Sequence, residues 1–142
     1  MYTTLLFLHF IGLALGVGSG LAAFTLGITN RELPPAERAS FFLKLRGLSQ
    51  NGSYGLLLLL ATGTGMLFTR GIRETFVWGG PAFHAKLTLV LVFTGVFGYQ
   101  QVLMKRAREA GGGPAMTQIP VVGRILLALS TAIVLTAVLA FH

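Results

Sequence analysis

The chain has 142 residues, of which 54% are hydrophobic and 11% charged, with a mean hydropathy of +0.76. An average soluble domain is about 25% charged, so this composition excludes an ordinary water-soluble fold and points to a bilayer. The net charge of +7 comes from dispersed basic residues rather than one basic surface, which argues against nucleic-acid binding, and the absence of cysteine removes disulfides, thiolate metal sites and covalent haem attachment.

The first apolar run, Leu5–Ile28, is long enough to span a hydrocarbon core. No Lys or Arg precedes Arg31, so it lacks the basic start of a cleaved signal peptide and is expected to be a permanent helix. His9, Gly12, Gly16 and Gly20 share one face of it at helical spacing. This Gly-xxx-Gly-xxx-Gly stripe permits close approach of another helix or of a flat ligand. The loop that follows contains Leu33-Pro34-Pro35-Ala36-Glu37-Arg38, where prolines break the helix and a short amphipathic helix on the membrane surface is expected from Ala36 onward.

The second run is Gly52–Thr69. Arg70 and Arg73 follow it, and the segment Gly71 to Pro81 ends in the turn Trp78-Gly79-Gly80-Pro81. Trp78 and Tyr2 are placed as aromatic anchors at one interface, with a direct ligand contact the other role open to Trp78. The third run, Phe83–Leu103, opens on His84, and His84, Leu91, Gly95 and Gly98 form a stripe expected to face inward. Lys86 falls on nearly the opposite face, either snorkelling to the interface or partnering a carboxylate or propionate.

Gly111-Gly112-Gly113-Pro114 reads as a flexible turn into the last run, Ile119–Phe141. Arg124 lies near its inner end as a snorkelling residue, and the terminal His142 reads as a solvated end. The four spans leave no room for a second domain, so residues 1–142 are expected to form one all-α, integral membrane, antiparallel four-helix bundle. Eight of the eleven basic residues flank the first-to-second and third-to-fourth connections, which puts those loops in the cytoplasm and both termini outside an inner (plasma) membrane.

His9 and His84 then lie near the same outer face, within the first turns of two helices running in the same direction. Two imidazoles reaching in from separate helices suit a metal held in a flat macrocycle, so His9 and His84 are the candidate metal ligands, with Gly12, Gly16 and Gly95 as pocket residues. Arg70 and Arg73 are candidates for pairing with haem propionates. The chain has no Asp, and Glu32, Glu37, Glu74 and Glu109 all fall in loops, which argues against a proton-coupled antiporter. Met66, Met104 and Met116 are scattered and make a weak copper path. No serine triad, paired carboxylates or His-Glu-xx-His motif is present.

The passage from Trp78 through Phe83-His84-Ala85-Lys86-Leu87 to Thr94-Gly95 and Gly98-Tyr99 resembles the third span of HemJ-type protoporphyrinogen oxidases. Leu8-His9 is similar to that family's first-span histidine, and Ile119-Pro120 to its closing segment; the wider group includes CopD-like copper-resistance domains. The resemblance implies a non-covalent haem b with His9 and His84 as ligand or pocket residues, and Lys86 as the candidate catalytic group. It departs at Leu13-Ala14-Leu15-Gly16-Val17-Gly18, where the family has a Trp, and at Thr117-Gln118-Ile119-Pro120, which lacks the family's Asn-Glu. The sequence therefore leads to a haem b membrane protein of electron transfer or redox chemistry, whose candidate partners are a quinone, a porphyrinogen, a redox protein or a second copy of itself. A CopD-like copper or small-solute transport protein and a non-catalytic subunit of a larger complex are the other readings.

Overall fold

The computed structural model describes residues 1–78, 80–110 and 114–140. The expectations for the Trp78 side chain, the Gly111-Gly112-Gly113 turn and His142 lie outside the described residues. The fold is all-helical: α1 (Tyr2–Thr29), a 3-10 turn (Asn30–Glu32), α2 (Pro35–Lys44), α3 (Arg46–Arg70), α4 (Ile72–Trp78), α5 (Gly80–Glu109) and α6 (Pro114–Ala140). Helices α1, α3, α5 and α6 are each long and apolar enough to cross a membrane. Large apolar side chains such as Phe7, Phe10, Leu57 and Leu91 stay exposed on their outer faces, as lipid contact allows and water does not.

All four helices begin before the apolar runs that mark them, and the first three also end beyond them. Helix α3 begins at Arg46, through the polar Ser49-Gln50-Asn51, and α6 begins at Pro114 and continues through Pro120. A proline at the first helical position loses nothing, whereas Pro120 forfeits one backbone hydrogen bond within α6. Helix α2 matches the short helix read after the loop prolines. Helix α4 was not foreseen. It forms because Gly71, at φ +86°, turns the chain after α3, and its carbonyl then accepts both the backbone N–H and the hydroxyl of Thr75. Gly80, at φ +57°, makes the second turn into α5 in a conformation that a side chain would strain.

Two antiparallel pairs carry most of the packing, α1 with α3 and α5 with α6, and α1 also touches α6. Along the first seam Leu5 lies against Gly65, His9 against Thr62 and Gly63, Gly16 against Gly55, and Ser19 against Gly52. The second seam is filled by Leu103, Val122 and Leu126, backed by Phe93, Val96 and Phe97. Side chains link α3 to α5, where Ser49 donates to Gln101 at 3.2 Å and Phe97 covers Gly52. These contacts gather both basic connections at one end of the molecule and leave the start of α1, the end of α3 and the start of α5 at the other.

The two glycine stripes have different fates. A Cβ on Gly55 would lie 2.5 Å from the Gly16 nitrogen and 2.8 Å from the Gly12 oxygen, so Gly12 and Gly16 of the first stripe are sites of backbone-to-backbone contact, while Gly20 is exposed with nothing within 4 Å of an added Cβ. Gly95 and Gly98 are exposed with nothing within 4 Å of an added Cβ. Gly95→Ala is therefore expected to be neutral or stabilising by up to about 1 kcal/mol, since alanine is the better helix former. The unfolding midpoint in mixed micelles, followed by far-UV circular dichroism, checks this; a marked fall would show that Gly95 is a packing position.

Candidate functional site

Of the two sequence-selected candidate ligands, His9 is the one that the fold covers, and His84 is exposed. His9 sits half-buried on the face of α1 that meets α3. Gly63 lies beside the ring, where an added Cβ would stand in ordinary van der Waals contact with the imidazole Cε1 at 3.5 Å. The ring Nδ1 is 2.8 Å from the Oγ1 of Thr62, a residue only 3% exposed.

The direction of that hydrogen bond follows from the helix. Thr62 directs its hydroxyl proton to the Leu58 carbonyl at 2.5 Å, one turn back in α3, so its oxygen is left as an acceptor for His9. In the tautomer that donates from Nδ1 to Thr62, Nε2 keeps its lone pair. An imidazole oriented through one nitrogen and basic at the other is the arrangement found at metal-binding histidines.

Lys86 belongs to the same neighbourhood. It is half-buried on α5 and within electrostatic range of His9. Arg70 marks the same end of the molecule: its guanidinium stacks 4.5 Å over the Tyr2 ring, tying the end of α3 to the start of α1. Arg73 is exposed on α4.

His84 is placed differently from the sequence expectation. The stripe His84, Leu91, Gly95, Gly98 was read as facing inward, and in the structure all four are exposed, Leu91 at 74%. The inward face of α5 instead carries Phe83, Lys86, Leu87, Val90, Phe93 and Phe97. Large side chains fill the space between helices, and the glycine face is left to the surroundings. The His84 ring packs beside Phe76 of α4, with centroids 5.5 Å apart, and beside Phe83 at 6.2 Å. His9 and His84 are thus on separate surfaces, and Gly12 and Gly16 are occupied by the backbone of α3 rather than held open for a flat ligand.

Thr62 is the site residue that the sequence reading missed. The signal was present: Gly52, Gly55, Leu59 and Thr62 recur at helical spacing on α3 and form the surface on which α1 rests. Among the described residues, no group of three or more His, Asp or Glu side chains is gathered closely enough to hold a metal ion by itself. Comparison with protein-family models, curated proteins and solved structures finds no match to this chain.

Proposed function

We propose that this protein is a haem b-binding, multi-pass membrane protein of electron transfer or redox chemistry, in which His9 would hold the haem iron through Nε2. The observation that carries the reading is the hydrogen bond between His9 Nδ1 and the buried Thr62, which orients the ring and, in the tautomer protonated at Nδ1, leaves Nε2 with a lone pair for a metal. The donor set suits a macrocycle better than a bare ion. Copper needs several side-chain donors together, whereas haem brings its own equatorial nitrogens and asks the protein for an axial one.

Lys86 and Arg70 supply positive charge near the His9 end of the molecule, where carboxylate groups of a bound porphyrin need partners. Haem, when bound, supplies one-electron chemistry, while the chain supplies ligand orientation, burial and charge. Thr62 holds the proton on Nδ1; Lys86 presents its ammonium to an acidic group, and in a HemJ-like porphyrinogen oxidation it would be the residue that meets the substrate. The distribution of basic residues supports an antiparallel bundle with its basic loops in the cytoplasm and both termini outside, and on that reading the His9 end lies at the outer face of an inner membrane.

Absorption spectra of the oxidised and reduced protein, purified from haem-sufficient cells, test the reading. A Soret band that shifts on reduction, at a stoichiometry near one haem per chain, is expected. Protein that is folded and helical but has no Soret band overturns it, and stoichiometric copper in that protein would select the CopD-like alternative.

A further inference from the structure

Seam α1–α3 is packed through glycine backbones, and seam α5–α6 through the Leu103–Val122–Leu126 core, with a smaller pocket of about 340 Å³ at its basic end between Tyr99, Arg106 and Gln118. Between α1 and α6 the packing is incomplete. An open trough of about 780 Å³ runs there, lined by Phe24 of α1 and by Arg124, Leu127, Ala128, Thr131 and Leu135 of α6. Apart from Arg124 the lining presents no free polar hydrogen, because the Thr131 hydroxyl donates to the Leu127 carbonyl at 3.0 Å.

Arg124 stands at the end of the trough nearer the basic connections, and among the described residues it has no hydrogen-bond or ion-pair partner. No acidic residue of the chain lies within a span to neutralise it, since Glu32, Glu37 and Glu74 fall in or beside connections and Glu109 ends α5. From Arg124 to Leu135 the helix rises about 16 Å. That is roughly half of a ~30 Å hydrocarbon core, the depth of one leaflet.

We infer that the trough between α1 and α6 is a binding site for an anionic phospholipid, one acyl chain lying against Ala128, Thr131 and Leu135 and the headgroup phosphate pairing with Arg124. The groove supplies an apolar bed of the right length, and the guanidinium supplies a planar, permanently charged fork that matches phosphate geometry. Lys105, Arg106 and Arg108 lie at the same end, so a headgroup carrying a compensating cation is disfavoured against one with net negative charge.

Native mass spectrometry of the full chain in detergent, with equal amounts of phosphatidylglycerol and phosphatidylcholine of identical acyl chains, tests this inference. The wild type is expected to retain one phosphatidylglycerol per chain in preference to phosphatidylcholine. Arg124→Gln lowers that preference by about tenfold, the equivalent of one charge-assisted hydrogen bond, and Arg124→Lys keeps part of it. Ala128→Trp fills the trough without altering charge, at an exposed position where the fold tolerates it, and removes the retained lipid. Equal retention of the two lipids by the wild type overturns the proposal. So does undiminished phosphatidylglycerol on Ala128→Trp, which would assign the lipid to the basic loops, or an unchanged preference in Arg124→Gln.

Discussion

His9→Ala is expected to abolish the Soret band of protein expressed with sufficient haem, while His84→Ala leaves the band in place. Both histidines lie within about two turns of the start of a long apolar helix, so the difference tests what surrounds each ring. His9 is oriented by Thr62 on the α1–α3 seam, whereas His84 packs on Phe76 at an exposed face of α5. Thr62→Val sharpens the test because it leaves both histidines intact. It removes the acceptor of the Nδ1 proton, and second-sphere losses of this kind weaken metal binding by about 10–100-fold. Haem retention after gel filtration at falling protein concentration reads that loss. A band that survives His9→Ala, or disappears in His84→Ala while helicity is kept, would move the ligand assignment to α5.

Gly55→Ala has the largest expected effect on the fold itself. An added Cβ would meet the Gly16 nitrogen at 2.5 Å and the Gly16 Cα at 2.9 Å, and neither is a side chain that can swing aside. The helices must separate, so the cost belongs at or above the upper end of the ~1–3 kcal/mol typical of overpacking. Alanine recovers only about 1 kcal/mol through helix propensity, so the net sign is destabilising. Gly55→Leu should be worse and should also reduce haem retention, because the His9–Thr62 contact lies on the same seam two turns away. Unfolding in dodecyl sulfate mixed micelles, monitored by circular dichroism, checks the prediction against Gly95→Ala as the permissive control. An unshifted midpoint for Gly55→Ala would mean that α1 and α3 are further apart than their backbones indicate.

The comparison of Gly55 with Gly95 also shows what kind of information a periodic stripe contains. Gly12 and Gly16, like Gly95 and Gly98, stand out at helical spacing in the sequence, and nothing in either pattern says which will meet a backbone. The answer depends on the opposing surface. Helix α3 offers Gly55 to the first stripe, whereas the aromatic face of α5 takes the interior and turns the second stripe outward.

The sequence by itself determined the four long apolar helices, the clustering of basic residues around two connections, the amphipathic α2 and the turn that opens α5. These follow from span length, charge and the backbone limits of proline and glycine, all of which act locally along the chain. It also singled out His9 and Lys86 as polar groups placed against the cost of burial in a membrane. Only the tertiary structure decided that His9 meets Thr62 while His84 does not, that Lys86 comes within range of His9, and that α1 and α6 leave a trough between them. Helical periodicity fixes which residues share a face, but the direction of that face is set by side-chain volume and backbone approach across helices far apart in sequence.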